Sequence, residues 1–169
     1  LGFDHIRLPV DEEQLWSEDG QPDSEAFGLL DAALDWCEEY NLRAIVDLHI
    51  LRSHHFNASA TPRLFTDPAE TRRFAGLWRD LSEHLSRRSV ELVAYELMNE
   101  PVAKDPRDWN RVAMAGFRAI REREPLRACQ RLCWRKLCLL TSIGAGSESG
   151  AHMGLDLLEQ RRRPQRGRS

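Results

Sequence analysis

The sequence predicts an α/β fold of parallel strands alternating with helices, arranged as part of a (β/α) barrel. Strand-like apolar runs and amphipathic helical runs follow one another three times between Gly2 and Arg123. Such alternation implies parallel strands joined by right-handed crossovers. The connections after the strands are long and those after the helices short, as in a barrel that builds its function on the βα loops. A doubly wound open sheet is the competing architecture. No G-x-G-x-x-G or phosphate-binding glycine loop is present to support the nucleotide sites common in such sheets. At 169 residues, 41% hydrophobic and 30% charged, the chain suits one soluble globular domain with a substantial core. No apolar run approaches the length of a membrane span, so no membrane partner is expected.

Gly2 to Val10 (GFDHIRLPV) reads as the first strand, alternating Phe3, His5 and Arg7 with Asp4, Ile6 and Leu8 before Pro9 closes it. Arg7 is the unusual residue. A guanidinium in an apolar strand needs a carboxylate partner, because unpaired buried charge is costly; on an edge strand it would simply face solvent. Residues 11–23 are acidic and loop-like, with Trp16 and the turn pair Asp19-Gly20. Ser24 then caps a helix to about Tyr40, whose Phe27, Leu30, Leu34 and Cys37 recur at the spacing of one buried face, with Asn41 as its C-cap.

The second strand is Arg43 to His49, followed by a long segment to Phe65 that holds His54, His55, Asn57 and Pro62. Asp67-Pro68-Ala69-Glu70 starts the second helix, with Asp67 as N-cap, Pro68 at the first helical position and Glu70 completing a capping-box-like arrangement. Phe74, Leu77, Trp78, Leu81 and Leu85 form its apolar face, and Arg87-Arg88 suits its C-terminal dipole. The third strand starts at Val90 and ends in Asn99-Glu100-Pro101. A carboxylate at the end of such a strand lies where a parallel barrel places its active site. An ordinary Asn-x-Pro turn is the competing reading. Asp105-Pro106-Arg107-Asp108 repeats the helix start, and Trp109, Val112, Ala113, Gly116, Phe117 and Ile120 carry a third amphipathic helix to about Arg123.

After Pro125 the pattern fails. Residues 1–125 hold 15 Lys/Arg against 24 Asp/Glu, a net −9, whereas residues 126–169 hold 9 against 3, a net +6. Cysteine use changes at the same place. Cys129, Cys133 and Cys138 with His152 offer four zinc-ligand types, but C-x3-C-x4-C lacks the paired short knuckles of zinc modules. Residues 161–169 (RRRPQRGRS) read as disordered. No aromatic residue interleaves those arginines, and no nucleic-acid partner is expected. The expected organisation is a partial barrel over 1–125 and an irregular basic tail over 126–169, frameshifted or unrelated in origin. The chain opens inside a strand-like segment without an initiator Met, which suggests that N-terminal residues, any signal peptide included, are missing.

Arg7, His49 and Asn99-Glu100-Pro101 together form a recognisable set. Over about residues 1–125 the chain resembles glycoside hydrolase family 5, the cellulase-type retaining β-glycosidases. The matching segments are His5-Ile6-Arg7-Leu8-Pro9-Val10, Asp47-Leu48-His49 and Leu97-Met98-Asn99-Glu100-Pro101, in the family's order. They would be barrel strands two, three and four. The resemblance implies an incomplete (β/α)8 TIM barrel of about three to four βα units with an irregular C-terminal tail. It implies hydrolysis of O-glycosidic bonds in β-linked oligo- or polysaccharides, in the manner of an extracellular endo-β-1,4-glucanase without a cofactor. Position by position, Glu100 matches the general acid/base, Asn99 the residue that bonds the sugar 2-hydroxyl, and Arg7 the arginine that holds the nucleophile ionised. His49 matches a histidine lining the sugar subsite. His54 and Trp16 would add sugar contacts outside any motif, Trp16 by stacking.

Retaining hydrolysis needs two carboxyl groups about 5–5.5 Å apart, one donating a proton and one attacking. In the family the nucleophile ends strand seven. Three further βα units need roughly 94 residues, and 69 follow Glu100. Glu148 and Glu159 do not end apolar strands, so no nucleophile is found and the chain alone is expected to be inactive. Two other readings stand beside this one. The chain would be a non-catalytic fragment or sugar-binding remnant, or a metal-dependent TIM-barrel hydrolase using His49, His54 and His55 with Glu100. The spacing H-x4-H-H matches no established ligand pattern.

Overall fold

The computed structural model describes residues 2–55, 61–131 and 138–140. In chain order the elements are β1 (His5–Val10), α1 (Glu12–Leu15), α2 (Ser24–Glu39), β2 (Arg43–Leu48), α3 (Arg63–Thr66) and α4 (Pro68–Leu85). They continue with β3 (Val93–Glu96), α5 (Pro106–Arg121), β4 (Cys129–Arg131) and β5 (Cys138–Leu140). The sheet order is β1-β2-β3-β4-β5, and β1 to β4 are all parallel. A doubly wound sheet reverses its strand order at a switch point. This one never does, so it is a stretch of (β/α) barrel wall. β5 departs from that scheme by pairing antiparallel with β4.

Register assigns the two faces of the wall. Arg7, Ile45 and Ala94 are neighbours across β1, β2 and β3, and so are Pro9, Asp47 and Glu96. Side chains in register share a face, and alternate residues along a strand lie on opposite faces. The helix-facing side carries Ala44, Val46, Leu48, Val93 and Tyr95, all buried in one core with Leu34, Phe74, Leu77, Trp78 and Leu81. The opposite, concave side carries Arg7, Asp47 and Glu96. The charged residues of β1, β2 and β3 are thereby gathered on one surface.

Local chemistry explains the helix starts. Asp67 and Asp105 each accept a backbone N–H of the first turn, from Ala69 at 2.8 Å and from Arg107 at 2.9 Å, with Pro68 and Pro106 just inside. Glu70 does not close a capping box; its carboxylate pairs with Arg63 at 3.0 Å. The cap of α2 is Asp23, which accepts from Glu25 and Ala26, and Ser24 is already helical. Asn41 follows the helix at φ 55°, the left-handed conformation that terminates helices. The acidic segment read as loop contains α1, closed by reciprocal bonds of Asp11 and Gln14. Helices α4 and α5 cross closely at Gly116, where a Cβ would stand 2.7 Å from Phe74 Cε1 and 3.0 Å from Trp78 Cδ1.

Two boundaries differ from the sequence reading. Val90 to Leu92 belongs to a turn closed by Leu92 and Val93 N–H onto Ser89 O, and Val90 is exposed. The third strand is therefore shorter than its apolar run. The folded body also passes Pro125. Arg127 is fully buried; its Nε donates to Glu124 Oε1 at 2.7 Å. Its remaining N–H groups reach the carbonyls of Leu85, Arg88, Ser89 and Val93 at 2.7–3.1 Å. Tyr95 Oη donates to the other Glu124 oxygen at 2.6 Å. Cys129 is buried on β4; Cys133 and His152 of the four zinc-ligand types lie outside the described residues.

Candidate active site

The polar side chains of the concave face converge where β1, β2 and β3 approach their C-terminal ends. Arg7 is the hub. Its Nε and Nη2 donate to the two oxygens of Glu96 at 2.6 and 3.0 Å, the paired geometry that suits a guanidinium and a carboxylate. Nη2 also meets Asp47 Oδ2 at 2.8 Å and Asn99 Oδ1 at 3.0 Å. Both carboxylates are buried, Asp47 fully, while the Arg7 side chain stays 37% exposed on the concave side. The carboxylate partner that Arg7 required on electrostatic grounds is thus a pair of carboxylates.

Asp47 also binds His49 Nδ1 at 2.6 Å, which fixes the imidazole's orientation. Burial pushes the Asp47 carboxyl up to about 6; the His49 bond and the Arg7 charge oppose that rise, and Glu96 adds to it. Its second oxygen, Oδ1, has no hydrogen-bond partner among the described residues.

Asn99 and Glu100 follow directly. The Asn99 N–H donates to Leu48 O at 3.3 Å, continuing the β2 pairing past the end of β3. Its side chain is nearly buried and holds Oδ1 on Arg7. Glu100 is exposed and stands at φ 39°. A non-glycine residue in that region costs about 1–3 kcal/mol and persists only where neighbouring structure imposes it.

Arg7 is joined to His49 through Asp47 and to Asn99 directly, and Glu100 is the next residue. His54 is not with them. It is 2% exposed, and its Nε2 accepts the Val102 N–H at 3.1 Å behind the strand ends; no face is left for a sugar. Trp16 is equally buried, its Nε1 donating to Asp80 at 3.0 Å and its ring edge-on to Phe27, so stacking on a sugar is ruled out. His55 is exposed, and Asn57 lies outside the described residues. Among the described residues no three His, Cys, Asp or Glu side chains gather into a metal cluster. Sequence reasoning missed Asp47 and Glu96. The signal was present: each is the one acidic residue of its strand, and Asp47 shares a face with His49 two residues on.

A row of polar side chains at the carboxyl ends of sequential parallel strands defines a (β/α)-barrel enzyme site. The family model for Cellulase (glycosyl hydrolase family 5) matches residues 1–130, and the chain belongs to that family. Endoglucanase C of Acetivibrio thermocellus is 37% identical over 124 residues, which are 72% of this chain and 36% of that protein. Cellodextrinase A of Ruminococcus flavefaciens is 30% identical over 100 residues, 59% of this chain and 30% of the other. The chain therefore spans about a third of the length of these relatives. A solved glycoside hydrolase superposes with a TM-score of 0.68 at 23% identity, covering 76% of this chain and 42% of that one. Thermotoga maritima Cel5A in complex with cellobiose does so at 0.60 and 21%, covering 77% and 39%. At such identities the structures establish the fold, a partial TIM barrel. No helix of the described residues is long and apolar enough to cross a membrane.

Proposed function

We propose that the chain carries the acid/base half of a retaining, endo-β-1,4-glucanase-type site and binds β-linked glucan there. The observation that carries this is the Arg7–Asn99 bond beside Glu100. Because Asn99 Oδ1 accepts from Arg7, its amide N–H groups are left to donate to a sugar hydroxyl, beside the exposed residue Glu100. Glu100 is the proton donor to the glycosidic oxygen and later the base toward water, the alternation that retaining hydrolysis requires. Arg7 and His49 are the remaining substrate-side residues. The relatives named endoglucanase support the substrate class, and the extracellular setting implied by the family belongs to the same proposal.

The nucleophile is the missing part: among the described residues the strands carry only two carboxylates, Asp47 and Glu96, and both are buried, so neither presents itself to a sugar. The chain is expected to bind cellotriose in a calorimetric titration, with Asn99→Ala weakening binding at least tenfold, and to release no reducing ends from carboxymethylcellulose. Turnover abolished by Glu100→Gln would overturn the missing nucleophile. Absence of binding would overturn the glucan reading.

We further infer that the chain leaves the family's reading frame near residue 130. Support comes from the family match ending there, the antiparallel β5 and the change to a basic tail. Translating the DNA behind residues 131–169 in the other two frames should reveal further βα units. If neither frame contains them, this inference fails.

A further inference from the structure

The loop after β3 must hold Glu100 in a backbone conformation that glutamate disfavours. The group that grips this loop two residues on comes from a different βα connection. We infer that His54 is a positioning residue for Glu100: its buried imidazole accepts the Val102 N–H and so fixes the backbone carrying the exposed carboxyl group. The inference rests on the reading of Glu100 as acid/base.

The ring is itself held. His54 and Leu51 exchange both backbone hydrogen bonds, at 3.0 and 3.1 Å, which makes a tight turn of residues 51–54. Arg52 in that turn donates from its backbone to Glu12 at 2.9 Å and from its side chain to Trp16 O at 2.9 Å. The imidazole lies edge-on to Phe65 of α3 with ring centroids 5.5 Å apart. A ring fixed on three sides presents one nitrogen to Val102 and places the other, Nδ1, in a buried position without a hydrogen-bond partner among the described residues. An apolar side chain would fill this space without that cost. What an apolar side chain cannot supply is an acceptor for the Val102 N–H. Only an unprotonated Nε2 accepts a hydrogen bond, so the ring must be neutral with its proton on Nδ1. Burial favours that state, lowering the His54 value to about 4, with neighbouring His55 acting in the same direction.

The test needs no sugar and no turnover, so its failure is separate from failure of the glucan reading. Nitrogen NMR at pH 7 should show His54 as the neutral Nδ1–H tautomer. Hydrogen exchange at the Val102 amide should quicken at least tenfold in His54→Phe, which fills the space without an acceptor. His54→Gln, whose carbonyl oxygen sits near the Nε2 position, should restore most of that protection. The backbone carbon shifts of Glu100, which report its left-handed conformation, should move in His54→Phe and return in His54→Gln. If the Phe variant fails to fold, the tautomer and the Gln variant still decide. An Nε2–H tautomer, Val102 exchange indifferent to the Phe substitution, or Glu100 carbon shifts that move equally in both variants would overturn the inference.

Discussion

Arg127→Met is expected to lower the unfolding free energy by about 3–5 kcal/mol, the effect of removing one partner of a buried ion pair. Against a typical total of about 5–15 kcal/mol, that brings the fold near the edge of stability. Arg127 is fully buried, and methionine keeps much of its volume while removing every donor. Among the described residues Glu124 is left as a buried carboxylate with only the Tyr95 hydroxyl to stabilise it. The carbonyls of Leu85, Arg88, Ser89 and Val93 lose a shared donor at the junction of α4 and β3. The guanidinium also lies 5.4 Å from the centre of the Tyr95 ring, and that contact goes too. Urea unfolding of the full chain measures the loss. Adding Glu124→Gln should recover part of it, because the uncompensated charge disappears. A loss below about 1 kcal/mol would mean that buried-pair energetics do not apply here, and would remove Arg127 from the folded body.

Arg127 also shows why the tail boundary was placed too early. Its carbonyl acceptors lie 34 to 42 residues back in the chain, and nothing local announces them. The charge and cysteine counts of 126–169 average residues 126–130 with a tail of different character. The starts of α4 and α5 were legible because their causes are local: an Asp followed by Pro supplies the cap and the preset backbone angle within two residues. The start of β3 was not, since Val90 and Leu92 are as apolar as a strand requires. The ladder begins where Val93 meets Ala44.

The site divides in the same way. The need of Arg7 for a carboxylate followed from the cost of a bare charge, but the identity of the partners depends on register. Pro9, Asp47 and Glu96 stand side by side only once three strands are aligned. His54 was misread for the opposite reason: a histidine in a polar connection looks solvent-facing until the turn at Leu51 carries it inward. Motif residues could be found along the chain, whereas the residues that hold them in place came from pairing.

That pairing makes the stability of Arg7→Met depend on pH. In the intact site the Asp47 carboxyl is raised to about 6, chiefly by burial, against an ordinary value of 3.8. A folded value above the unfolded one means the folded chain binds that proton more tightly. The stability this contributes is fully present below the unfolded value and is lost as pH rises through about 6. Arg7 opposes the rise; without it, the buried Asp47 and Glu96 repel each other, and the Asp47 value climbs further. The variant must then hold two like charges together or keep a proton at neutral pH. Below pH 4 the Asp47 carboxyl is protonated, so the two groups no longer repel as like charges and the missing cation matters less. The expected deficit is about 2–3 kcal/mol at pH 8, less than for a fully buried pair because the partly exposed guanidinium is screened by solvent. It should shrink below about 1 kcal/mol at pH 4. Urea unfolding of both proteins across this range measures the difference, and Asp47→Asn added to the variant should flatten it. A deficit that stays constant with pH would mean that Arg7 stabilises the wall by packing, and that the two buried carboxylates do not depend on its charge.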